Sequence, residues 1–178
     1  MKKLFSLVLI AAGVSVAQAG DTAGLQISLI PDVAIQDTST TIHGLTIDLI
    51  CGQNQQIGIT LGLYNLMTDE SEGFCWGAVN YADTYTGVNW GLVNLTQQKF
   101  FGWQDGLINY AAVEFTGLQS GVINVAGHAR GLQFGVFNYT DKLDGLQIGV
   151  LNIATDNRWF NRVPNQFGAA VPFVNWSF

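Results

Sequence analysis

The stretch GLQFGVFNYTDKLDGLQIGVLNIA, residues 131–154, states one pattern twice. Gly131 opens the first copy and Gly145 the second, and each runs Gly, apolar, Gln, apolar, Gly, two apolar residues, Asn, apolar. The spacing fixes the question that decides the fold, which is how a chain uses a unit this short many times over. Aligned on its glycines, the chain repeats the unit at Gly58 (GITLGLYNL), Gly73 (GFCWGAVNY), Gly87 (GVNWGLVNL), Gly102 (GWQDGLINY), Gly117 (GLQSGVINV), Gly131 (GLQFGVFNY) and Gly145 (GLQIGVLNI). Successive starts lie 15, 14, 15, 15, 14 and 14 residues apart. Repetition at a fixed period outranks any single-residue signal and marks one supersecondary unit used serially.

Within each unit the fifth position is Gly and the eighth is Asn, giving the pairs Gly62 and Asn65, Gly77 and Asn80, Gly91 and Asn94, Gly106 and Asn109, Gly121 and Asn124, Gly135 and Asn138, and Gly149 and Asn152. Leu146, Gln147 and Ile148 alternate apolar and polar, the period of a strand. The alternation slips by one between positions 5 and 7. A Gly at such a slip suits a β-bulge or a sharp corner, because Gly accepts backbone angles that other residues resist. On that reading Gly135→Val is poorly tolerated, a β-branched residue resisting positive φ. The remaining positions, such as Thr140, Asp141, Lys142, Leu143 and Asp144, have turn-like composition. Two degenerate units, GLQISLI at Gly24 and GLTIDLI at Gly44, precede the regular run 58–153, and an irregular strand over about 166–178 closes the chain.

Two all-β architectures fit. In an antiparallel up-and-down β-barrel of about ten strands, each unit is one strand, within the range of outer-membrane barrels. In a β-solenoid with 14–15-residue coils, each unit is one turn, and the Asn residues form a side-chain ladder. An Asn124, Asn138 and Asn152 column would establish the solenoid. The ninth position favours the barrel: Tyr81, Tyr110 and Tyr139 alternate with aliphatic residues. In a meander every second strand brings this position to the same end, where the rings would line one membrane interface. Asp105 and Ser120, at the otherwise apolar fourth position, and the uniformly short turns fit the barrel less well.

The chain ends VPFVNWSF, with Val174, Trp176 and Phe178 on one face of an extended segment. This ending resembles the terminal strand of bacterial outer-membrane barrels, whose final aromatic is read by the barrel-insertion machinery. The resemblance implies that machinery and outer-membrane lipid as partners, with Trp176 and Phe178 as the signal. The Gly/Gln/Gly/Asn units also resemble poorly characterised surface-repeat proteins of bacteria with two membranes, which implies an envelope setting and no known activity.

The N-terminus points to export. Lys2 and Lys3 precede an apolar run from Leu4 to Val16, followed by Ala17, Gln18 and Ala19. That is a charged region, a short apolar core and an A-x-A cleavage site, too short to span a bilayer. Residues 1–19 are thus expected to be a signal peptide and 20–178 a single β-repeat domain, in the outer membrane or, for the solenoid, secreted or periplasmic. Five basic against 13 acidic residues then remain, a net charge of −8. This argues against nucleic acid and anionic headgroups as electrostatic partners. Charged residues make up only 11% of the chain and apolar ones 48%, so either much of it is buried or some of its surface does not face water.

No chemistry is expected. Only His43 and His128 could act as imidazole bases, and no nucleophile motif surrounds either. The acidic run TDESEG, with Asp69, Glu70 and Glu72, reads as a solvated turn before it reads as a Ca²⁺ loop. Cys51 and Cys75 permit a disulfide in an oxidising compartment, but free buried thiols are the simpler expectation. The Gln119, Gln133, Gln147 and Asn columns could line a lumen or present a stripe to a glycan. They are better explained as satisfying one another and the backbone. The sequence therefore predicts a structural or surface-interaction protein, as a small outer-membrane barrel or, alternatively, a secreted solenoid presenting an Asn/Gln-rich face.

Overall fold

The computed structural model describes residues 22–157 and 170–178. The expected signal peptide and residues 166–169 of the C-terminal segment lie outside the described residues. The described chain forms one sheet of six strands in the order β2-β1-β3-β4-β5-β6. They are β1 (Thr22–Ile30), β2 (Val33–Ala34), β3 (Thr41–Asn54), β4 (Gln56–Thr96), β5 (Lys99–Ala154) and β6 (Ala170–Ser177). At about 3.3 Å per residue, the 56 residues of β5 would stretch to roughly 185 Å if straight. They instead wind through successive turns of a β-solenoid, each unit stacked on the one before it.

The register shows like residues meeting like. β3 pairs parallel with β4, placing Gly44 beside Gly58 and Thr46 beside Thr60. β4 pairs parallel with β5, placing Gly87 beside Gly102, Asn94 beside Asn109 and Leu95 beside Tyr110. Parallel pairing of neighbouring units overturns the barrel, since an up-and-down barrel runs its neighbours antiparallel. Tyr81, Tyr110 and Tyr139 therefore share one column with Leu66, Leu95 and Val125 and do not form a ring at one end of a barrel.

Alternation within a unit is as expected, and among the described residues the interior is filled by side chains. Four columns point inward. Position 3 supplies Gln104, Gln119, Gln133 and Gln147; position 8 supplies the asparagines; position 10 supplies Ala82, Thr96, Ala111 and Ala126. The residue two before each opening Gly supplies Tyr85, Phe100 and Phe115, whose rings stack at 5.8 and 6.0 Å. Positions 6 and 7 both point outward, as Leu107 and Ile108 do, so the phase slip sits there as a convex corner. The positive φ falls on the first Gly of each unit, for example 125° at Gly131 and 150° at Gly145, and not on the fifth.

The ends of the stack differ from its body. β2 lies antiparallel to β1 over Ser28 and Ile30. β6 lies antiparallel to β5, with Gly145 opposite Ser177, Gln147 opposite Asn175 and Ile153 opposite Ala170. The parallel stacking of identical units therefore stops at both ends, where an open strand edge would invite pairing with another chain.

Candidate interaction surface

The Gly/Asn pairs are parts of one internal ladder. Each Asn Nδ2 donates to the Oδ1 of the next coil's Asn: Asn65 to Asn80 at 2.8 Å, Asn80 to Asn94 at 2.9 Å, Asn94 to Asn109 at 2.8 Å, Asn109 to Asn124 at 2.9 Å, Asn124 to Asn138 at 2.8 Å and Asn138 to Asn152 at 2.7 Å. The same nitrogen also reaches the fourth-position carbonyl of the next coil, as Asn124 does to Phe134 O at 3.0 Å. The fifth-position Gly makes room for it. A Cβ on Gly135 would lie 2.6 Å from Asn124 Nδ2 and 2.5 Å from Gly121 O. Gly and Asn recur together because one leaves the space the other's amide fills.

A second ladder runs the other way. Gln119 Nε2 donates back to Gln104 Oε1 at 2.8 Å, Gln133 to Gln119 at 2.8 Å and Gln147 to Gln133 at 2.7 Å. Asn175 of β6 ends it, donating to Gln147 Oε1 at 2.8 Å, and Asn157 donates in turn to Asn175 Oδ1. The expectation that these amides satisfy one another is met. An Asn/Gln-rich face offered to a ligand is excluded, because every member of these columns is buried.

The outward side chains carry the other half of the pattern. They form three sides: positions 2 to 6, positions 7 to 10, and the turn from position 11 to the next Gly. The first two are apolar and open to the surroundings. Trp76, Trp90 and Phe134 at position 4 are exposed, as are Leu63, Leu92, Val136 and Val150 at position 6, Val150 by 64%. Every Asp, Glu, Lys and Arg between residues 58 and 153 lies on the third side, with the single exception of Asp105. There Glu114 pairs with Arg130 and, at 4.0 Å, with Lys99; Arg130 reaches Asp144 at 3.7 Å, and His128 meets Asp144 at 3.0 Å. The His128 hydrogen bond holds the Asp144 carboxyl below its ordinary range. Phe101 and Val113 also stand exposed on this side.

Asp105 keeps company with the other polar residue of its column. Ser120 Oγ donates to Asp105 Oδ1, and Trp103 Nε1 donates to Ser120 Oγ at 2.8 Å. Trp103 also stacks on Trp90 at 6.3 Å. Where Ala78 replaces the Leu or Val of other units at position 6, a groove of about 460 Å³ opens between Trp76 and Trp90 over Gly77 and Gly91. Tyr139, on the second side, reaches over the corner to donate its hydroxyl to Asp141 at 2.8 Å.

The remaining candidate residues are scattered. Cys51 and Cys75 are free thiols, and burial pushes both thiols up. Among the described residues, no group of three or more His, Cys, Asp or Glu is placed to hold a metal ion. Asp48 stands out as a carboxylate with 1% exposure in the fifth-position Gly column, accepting from Ser28 Oγ at 2.5 Å. Burial pushes its carboxyl up to about 6, with the Ser28 hydroxyl pulling partly back. Trp176 projects outward from β6 and Phe178, just past its end, is exposed, while Asn175 points in. In comparisons with known proteins, no family model matches the chain, nor does any curated protein or any solved structure.

Proposed function

We propose that this chain is an exported, non-catalytic β-solenoid that works as an interaction module through its two uncharged sides. The observation that carries this reading is the partition of the outward residues between 58 and 153, with amides inside, every charge but Asp105 on one side, and tryptophan, leucine and valine exposed on the other two. Large exposed apolar patches on a folded protein mark contact surfaces. Here the pattern follows the repeat from coil to coil, broken at the fourth position only by Asp105 and Ser120, so it belongs to the design of the unit. The leader sequence supports export, and the buried ladders provide a rigid support on which contacts can be made without rearrangement.

The test is to express the chain with its own N-terminus beside a variant carrying Leu92→Gln, Leu107→Gln and Val136→Gln. Retention in an envelope fraction or in a larger assembly is expected for the parent, and release as a monomer with unchanged β circular dichroism for the variant. A parent chain that is monomeric and freely soluble without detergent would overturn the reading.

A further inference from the structure

We infer that the two uncharged sides meet the hydrocarbon of a neutral phospholipid surface, with the solenoid axis lying in the membrane plane. The inference rests on the reading of these sides as the working surface, and it names what covers them. Backbone geometry permits it first. In a solenoid the strand hydrogen bonds run from coil to coil along the axis, and where the ladder is interrupted at the corner, between Trp90 and Val93, the Asn94 amide takes up Asp105 O, so the lateral sides are not open strand edges. A lipid-facing structure must meet that condition. Open backbone edges belong to the ends of the stack, where β2 and β6 lie, and this places the axis along the surface and not across the bilayer.

The side chains then decide between lipid and protein. The apolar surface continues around the corner at positions 6 and 7, from Trp76 and Trp90 past Leu92 to Ile108. A second copy or another rigid protein would cover one such side, whereas a fluid acyl layer closes over both. The border is marked as well. Tyr81, Tyr110 and Tyr139 stand two positions before the turn begins, and Tyr139 already bonds Asp141 across that border. Rings with an apolar body and a polar tip are what the headgroup level takes. Between residues 58 and 153 the one charge on these sides, Asp105, accepts a hydrogen bond from Ser120 Oγ.

Charge selects the headgroup. The third side carries Asp69, Glu70, Glu72, Asp83 and Glu114 against few cations, so it gains nothing from anionic lipid. Binding is expected to follow apolar area, as for amphipathic elements that lie on membranes, and to be insensitive to salt.

The experiment is flotation of the full exported chain with phosphatidylcholine vesicles, read together with tryptophan quenching by brominated acyl chains. The parent should float and be quenched. Leu92→Glu combined with Val136→Glu should keep the circular dichroism and lower the bound fraction by at least about tenfold, while Glu70→Gln on the third side should change nothing. If the glutamates impair folding, Leu92→Gln with Val136→Gln gives the same comparison more gently. A parent that neither floats nor is quenched overturns the inference, as does a folded variant that floats equally or binding that strengthens with added phosphatidylglycerol. A parent dimer that ignores vesicles and is split by the same substitutions would show a second copy on this surface, removing the lipid while leaving the interaction module standing.

Discussion

Gly135 lies against the backbone of the preceding coil, which leaves no room for a side chain. The sequence suggests intolerance of Gly135→Val through positive φ, yet positive φ belongs to Gly131, at the start of the unit. At Gly135 the obstacle is space, because a side chain there meets Gly121 O and the Asn124 amide. Valine should therefore both crowd the interior and break a buried hydrogen bond, lowering stability by about 3 kcal/mol or more, measured by chemical unfolding. Asp48, in the corresponding place of the preceding degenerate unit, makes a different prediction. Its carboxyl is raised in the folded chain to about 6 from 3.8, so the folded state holds the proton more tightly than the unfolded one. The contribution to stability is full below pH 4 and is lost as pH rises through about 6, a difference of about 3 kcal/mol. Asp48→Asn should remove that slope and leave the chain more stable at pH 8; an unchanged pH profile would show that Asp48 does not titrate in this range.

At the level of the strand, the alternation of Leu146, Gln147 and Ile148 was enough to give strand, inward face and outward face. It could not give the direction of the neighbouring strand, because a single unit reads identically whether the next one runs parallel or antiparallel. The tyrosine alternation suggested antiparallel neighbours, but in one parallel column it is only a change of side chain from coil to coil. The better clue was the uniform Asn: an amide ladder needs like beside like in every coil, which parallel stacking supplies and a meander does not. The Gln ladder also has a visible defect. Asn89 occupies position 3, is fully buried, and neither of its amide atoms finds a partner, while Gln104 Nε2 turns instead to Thr96 Oγ1 at 3.1 Å. Asn89→Gln should place an acceptor within reach of Gln104 and extend the ladder by one coil. The gain expected is about 1 kcal/mol or more, and a variant that melts below the parent would show that the column has no room for it.

For the molecule as a whole, the architecture makes each coil answer chiefly to its two neighbours, so the chain should tolerate loss of a complete unit. Removing residues 131–144 joins Arg130 directly to Gly145 and brings Gln147 above Gln119 and Asn152 above Asn124, restoring both ladders with like residues in register. What is lost is one coil's worth of stacking and the pairing of Asp144 with Arg130 and His128, surface contacts worth little. Stability in stacked repeats is close to a sum of units and nearest-neighbour contacts. The shortened chain should therefore fold with the same β signal per residue and melt somewhat earlier in a single transition. Removing only 131–137 is the decisive comparison. That cut sets Asn138 where Gly131 stood, Gly145 where Asn138 stood and outward Val150 where buried Leu143 stood, and so leaves the Asn and Gln amides of the last coils out of register with their ladders. It should fail to fold although it deletes fewer residues. Equal behaviour of the two deletions, in circular dichroism and melting, would mean that coil register does not hold this molecule together.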